Sequence, residues 1–92
     1  MTIEELFDKY EDEYLKFDRI EKKFSNRPDL HAFILLDQLM PGTSDMVSAA
    51  GHDIIYLDID AEKFLEIATE DIIRDLSRCG VHVDEDSLAL YA

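Results

Sequence analysis

Apolar side chains recur every three or four positions through the first 24 residues of the chain. That spacing is typical of one face of an α-helix. Thr2 and Glu5 have the spacing of a capping box, in which each side chain accepts a hydrogen bond from the backbone of the other. The pattern therefore predicts one continuous helix over residues 2–24. At a rise of about 1.5 Å per residue, this helix would be roughly 33 Å long. Its apolar face comprises Ile3, Leu6, Phe7, Tyr10, Tyr14, Phe17, Ile20 and Phe24.

The segment that follows predicts a second helix, over residues 28–40. Pro28 suits the first turn of a helix, where its missing N–H has no partner to lose. The sequence "PDLHAFILLDQLM" is apolar over more than half of a helical circumference, so we expect it to be central in the fold. Pro41 and Gly42 then end the helix.

Alternation of apolar and polar residues replaces the helical spacing after Met46 and predicts a β-hairpin. Its strands cover residues 46–50 and 54–59, and residues 51–53 form the turn. Successive side chains of a strand point to opposite faces of a sheet. The face of the second strand that we expect to meet the core carries Ile55, Leu57 and Ile59.

Two short helices and a second hairpin complete the pattern. Asp60 and Thr69 suit the N-caps of helices over 61–68 and 70–79, and Gly80 suits a left-handed helix stop. Strands over 81–83 and 87–91 flank an acidic turn. The order ααββααββ predicts one α+β domain over residues 1–92, with helices packed on one face of a small antiparallel sheet.

Charge sets the expected partners. The 92 residues contain 22 acids and 9 bases, a formal net charge of −13. A surface this negative repels nucleic-acid phosphates and anionic lipids, so we expect neither direct nucleic-acid binding nor membrane binding. A basic protein surface is the favoured partner. The first 24 residues carry eight acids and five bases, which leaves a net charge of −10 on the rest of the chain.

Acids beyond the first helix are therefore the candidate partner-binding residues: Asp53, Asp58, Glu62, Glu66, Glu70, Asp71, Asp75, Asp84, Glu85 and Asp86. The alternative interface is the aromatic stripe of the first helix, through Tyr10, Tyr14 and Phe17, whose spacing follows a heptad pattern. So long a helix on so small a body favours a homodimer.

The residues offer little for catalysis. The three glycines have turn or helix-stop duties, so no phosphate-binding loop is predicted. The spacing of His31, His52 and His82 matches no zinc site. Cys79 is the only cysteine, and the C-terminal end of a helix disfavours a thiolate. We therefore expect no enzymatic activity, metal or cofactor.

The leading hypothesis is a small, acidic, non-enzymatic interaction module, either an adapter or an inhibitor, that binds a basic partner. A phage or bacterial accessory protein would fit this description. Because the chain opens with acids and holds one cysteine, we expect it to be cytoplasmic. One alternative is a nucleic-acid mimic that blocks a DNA- or RNA-binding protein. The other is a divalent-cation-binding protein or metal enzyme that uses Asp58 and Asp60, whose carboxylates share one side of an extended chain.

Overall fold

The computed structural model describes residues 2–91, which form four α-helices, two single 3₁₀ turns and four strands. In chain order these are α1 (Ile3–Lys9), the 3₁₀ turns Glu11–Glu13 and Phe17–Arg19, α2 (Pro28–Leu39), β1 (Val47–Gly51), β2 (Ile54–Leu57), α3 (Ala61–Ile67), α4 (Glu70–Arg78), β3 (His82–Asp84) and β4 (Ser87–Tyr91).

The four strands form one antiparallel sheet in the order β1-β2-β4-β3. The second hairpin joins the first because β4 pairs with β2 on one side and with β3 on the other. The helices pack on the sheet face that carries Leu57, Leu88 and Leu90. The predicted α+β class with its two hairpins is confirmed.

The predicted continuous helix over residues 2–24 is wrong. The capping box of Thr2 and Glu5 does start α1, but the helix ends after Lys9. Leu15 then takes a left-handed conformation, with a φ of 63°. Such a conformation costs of order 1–3 kcal/mol for a residue other than glycine. We call residues 10–27, which follow α1 in an irregular path, the strap.

Contacts with α4 explain why the strap bends. The Leu15 N–H donates to the Ser77 carbonyl at 3.1 Å, and the Ser77 hydroxyl donates to the Tyr10 carbonyl at 3.2 Å. The Glu13 carboxylate also accepts from Arg78, at 2.6 Å from Nη2, and from Arg19. With the strap folded back onto α4, the chain measures 30 × 29 × 27 Å, slightly less in each direction than the roughly 33 Å of a straight helix over residues 2–24.

The core lies between the sheet and the helices. Phe64, Leu36, Leu76 and Leu88 are fully buried there. The alternation predicted for the second strand is visible, because Leu57 is buried while Ile55 and Ile59 pack against the core from its margin. Leu57 also ends β2, so the predicted strand over 54–59 was two residues too long.

Both hairpins turn through two residues in left-handed conformations. His52 and Asp53 have φ values of 51° and 64°, and Glu85 and Asp86 have values of 50° and 63°. Two successive left-handed residues match the twist of paired strands. Acids therefore stand at both turns, at opposite ends of the sheet.

Among the three glycines, Gly80 is the one whose replacement by alanine we expect to lower the free energy of unfolding most. Its φ is +96°, and a Cβ would lie 2.9 Å from the Leu15 side chain. Gly80→Ala should therefore lower the free energy of unfolding by about 1–3 kcal/mol in urea titrations. Gly51→Ala is the matched control, because a Cβ there meets nothing within 4 Å. Equal losses for the two variants would contradict this account of Gly80.

Candidate functional site

A cleft of about 190 Å³ lies between α1, with the turn that follows it, and the edge strand β3. Its walls combine carboxylates, aromatic rings and buried apolar side chains. We call it the acidic cleft, and its lining comprises Glu4, Phe7, Asp8, Glu11, Tyr14, Ser77, Val81, His82 and Val83.

Three exposed carboxylates edge the acidic cleft. Glu4, Asp8 and Glu11 follow one another at spacings of four and three, which place them on one side of α1 and its extension. Buried Phe7, one helical turn from Glu4 and from Glu11, also lines the cleft and fixes this helix to the core. None of the three acids has an ion-pair partner within residues 2–91. They therefore present unneutralised negative charge to solvent.

The turn between β3 and β4 extends this negative surface. The pKa of Glu4 is raised, first because its carboxyl group hydrogen-bonds the Asp86 carboxyl group and next because the charge of Asp86 repels a second negative charge. Asp86 also lines a neighbouring hollow together with Glu62, the second residue of α3. We call this surface the acidic face, and its members are Glu4, Asp8, Glu11, Glu62 and Asp86.

Aromatic rings form the other side of the cleft. The ring centroids of Tyr14 and His82 lie 6.3 Å apart in an edge-on arrangement. His82 also stacks on Tyr91, at 4.4 Å between centroids. Burial raises the pKa of the Tyr14 hydroxyl, and the charge of Tyr91 adds to this effect. A ring face beside carboxylates is suited to an ammonium or guanidinium group.

Cations within the fold already hold several of the predicted partner-binding acids. Glu70 binds Lys9, and this pairing lowers the pKa of Glu70 and raises that of Lys9. Asp71 pairs with Arg74 at 2.8 Å, and Asp75 pairs with Arg78 at 3.3 Å. These three carboxylates are consequently less available to a partner than sequence spacing indicates.

Asp84 also has a partner inside the fold. Its carboxylate accepts a hydrogen bond from the Tyr56 hydroxyl at 2.6 Å. That bond is the main cause that raises the pKa of Tyr56 to about 12. Glu85, next in the chain, is exposed and has no ion pair within residues 2–91.

The remaining predicted acids are exposed but do not form one group. Glu66 lies one turn after Glu62 on α3, close to the acidic face. Asp53 stands at the β1–β2 turn, beside the end of β4 where Tyr91 pairs with Ile54. Asp86 stands at the opposite end of the same strand. The structure therefore separates Asp53 from the acidic face.

The alternative interface through Tyr10, Tyr14 and Phe17 does not exist as one stripe, because the helix that would align these residues is broken. Tyr10 and Phe17 pack against the margin of the core. Tyr14 lines the acidic cleft instead. Only Tyr14 is therefore part of the candidate site.

Asp58 and Asp60 each have a structural duty. The Asp58 carboxylate accepts from the Ser44 hydroxyl at 2.6 Å. Asp60 is the N-cap of α3, where its carboxylate accepts from the backbone N–H groups of Glu62 and Lys63 at 3.0 and 3.3 Å. Within residues 2–91, no three His, Cys, Asp or Glu side chains are grouped so that they could hold a metal ion.

Cys79 is a buried core residue. Burial raises the pKa of its thiol to about 12, so the group stays protonated near neutral pH. Since the thiolate is the reactive form, the environment of Cys79 does not activate it as a nucleophile.

No helix within residues 2–91 has the length and apolar character that crossing a membrane requires. Comparisons of the chain with family models, with curated proteins and with solved structures returned no match.

Proposed function

We propose that this protein is a small, acidic, non-enzymatic interaction module, an adapter or inhibitor, that binds a basic surface of another protein. The acidic face supports this proposal most directly. It contains five carboxylates without ion-pair partners within residues 2–91. Glu4, Asp8 and Glu11 border a cleft with an aromatic wall, and Glu62 and Asp86 line the neighbouring hollow.

Long-range charge and the local cleft have different parts in this binding. The net charge of −13 attracts a basic protein before contact and raises the rate of association. At contact, the cleft of about 190 Å³ is of the size that admits one lysine or arginine side chain. Asp8 and Glu11 neutralise its charge, and the Tyr14 ring offers a cation–π contact. A cation between Glu4 and Asp86 relieves their mutual repulsion.

The other proposed features concern the surroundings of the site. Glu66 and Glu85 extend the negative field beyond the acidic face, and Asp53 contributes only at longer range.

The homodimer stays a prediction. The long first helix that favoured it is absent from the fold, and sedimentation measurements of the protein's mass test whether it forms. A cytoplasmic location is likewise proposed, because the single cysteine fits a reducing compartment.

The test uses a defined cationic probe before any partner. We expect an octa-arginine peptide, titrated into the isotopically labelled protein, to shift the backbone NMR signals of Asp8, Glu11 and His82 at lower concentration than those around Asp53. The apparent affinity should fall as sodium chloride rises, because salt screens these charges. An octa-citrulline peptide of the same length is the uncharged control.

Other outcomes would contradict the proposal. Equal binding of the citrulline peptide, or shifts spread evenly over all acids, would show that the cleft does not select a cation. If the proposal is correct, a partner captured from cell extract should be basic and should compete with octa-arginine for the protein. If that partner is a nucleic-acid-binding protein and DNA or RNA displaces it from the acidic face, the mimic alternative is the better description.

A further inference from the structure

His31 is a buried, titratable side chain that the proposed function does not use. It lies in the first turns of α2 and is 2% exposed. Its Nδ1 atom accepts a hydrogen bond from the Phe24 backbone N–H at 3.0 Å. Its ring stacks on Phe24 at 5.1 Å between centroids and meets the edge of Phe17 at 5.8 Å. Two aromatic residues of the strap thus clamp one histidine of α2.

This geometry fixes the protonation state of the ring. Because Nδ1 accepts a hydrogen bond, a neutral His31 carries its proton on Nε2. Nε2 is buried and has no hydrogen-bond partner within residues 2–91. A second proton would have to bind Nδ1, which would end the bond from Phe24. It would also place a positive charge in the aromatic clamp, away from water.

The charged groups around His31 do not offset this cost. Burial is the main cause that lowers the pKa of His31, and Lys23 on the strap lowers it further. The Lys23 ammonium is held close by, 2.7 Å from the Ile20 carbonyl and 5.2 Å from the Phe17 ring centroid. Asp75 on α4 raises the pKa, but its carboxylate is already bonded to Arg78.

We propose that His31 is an acid-operated latch, whose protonation releases residues 17–24 of the strap from α2 while the sheet stays folded. The released segment contains Ile20, which is buried in the closed state, and Phe17. Acid would therefore expose apolar side chains beside α4 without unfolding β2 and β4. The latch shares no residue with the acidic face, because His31 lies on α2 and residues 17–24 follow Glu11 and Tyr14 along the strap.

The sign of the pH dependence follows from the lowered pKa. An unfolded or released His31 takes up its proton near pH 6.5, whereas the latched ring does so only at lower pH. The latch is consequently at full strength above about pH 6.5 and weakens as the pH falls towards the lower value. Between the two values, each pH unit should raise the population of the released form by up to about tenfold.

Amide hydrogen exchange followed by NMR on the complete protein tests the latch. After correction for the intrinsic effect of pH on exchange, we expect protection of the Phe24 amide to fall by up to about tenfold per pH unit below pH 6.5. Protection of the Leu88 and Leu90 amides should persist. The His31 ring signal should titrate with a midpoint below about 6.5. His52→Asn is the control for an exposed histidine and should leave this pattern unchanged.

The variant His31→Asn separates titration from packing. An asparagine amide oxygen can accept the Phe24 N–H near the position of Nδ1 but does not titrate, so the pH dependence at Phe24 should disappear. Should this variant fail to fold, the wild-type data still decide the question. Constant Phe24 protection while His31 titrates, or loss of Phe24 protection only together with that of Leu88, would overturn the latch.

Discussion

Replacing Phe64 with alanine is expected to lower the free energy of unfolding by about 3–5 kcal/mol, the cost of removing a large aromatic side chain from a well-packed core. Phe64 lies on α3 and is fully buried. It belongs to the same core cluster as Leu36, Leu76 and Leu88, which come from α2, α4 and β4. Its removal therefore leaves a cavity where helices and sheet meet.

Ile67 provides the matched control, because it lies on the same helix and is 46% exposed. Ile67→Ala should cost less than about 1 kcal/mol. Urea titrations followed by far-UV circular dichroism measure both values at neutral pH. Small domains have a total stability of only about 5–15 kcal/mol, so Phe64→Ala can be partly unfolded without denaturant and should be measured at low temperature. Similar losses for the two variants would show that α3 does not cover the core.

The N-caps of three helices and the helix stop after α4 could be predicted from the sequence alone. The N-cap positions of Thr2, Asp60 and Thr69 were evident from residue type, and all three side chains accept the expected backbone hydrogen bonds. Gly80 has the left-handed conformation expected of a helix stop. These features are local, so a short stretch of sequence contains the whole physical cause.

The bend at Leu15 has no such local cause. No glycine or proline interrupts residues 2–24, and the apolar spacing there is helical throughout. The competing interactions come from α4, whose Ser77 and Arg78 lie more than 60 positions beyond Leu15 along the chain. Tertiary contacts overrode the helical preference of the segment. A pattern within one segment cannot reveal partners that only the fold brings near.

The position of the candidate site was missed for a related reason. Within the first 24 residues, the bases late in the segment offset the acids early in it, so the net charge of the segment hides its acidic first half. The sequence does indicate that three acids lack a helical ion pair. The positions four residues after Glu4, Asp8 and Glu11 hold Asp8, Asp12 and Leu15, so no base stands there to pair with them. Conversely, Glu70 seemed free, although Lys9 of α1 reaches it across the fold.

Reversing two charges at the acidic cleft, with Asp8→Lys and Glu11→Lys, is expected to slow association with octa-arginine or a basic partner by about tenfold or more at low salt. Charged clefts raise association rates by about 10–10³. Both side chains are exposed and neither has an ion pair within residues 2–91, so the fold should tolerate the change. Asp8 lies in the last turn of α1, where the helix dipole favours a positive charge.

The matched control carries the same change in net charge away from the cleft, through Asp45→Lys and Asp53→Lys, both at exposed positions. Stopped-flow or surface-plasmon measurements at two salt concentrations give both rate constants. If the cleft receives a cationic side chain, the cleft variant should associate more slowly and also dissociate faster, because Tyr14 and the carboxylates hold the ligand after contact. The control variant should show only a modest, salt-sensitive loss in association. Equal effects of the two variants would mean that net charge alone steers the partner and that the acidic cleft has no special part in binding it.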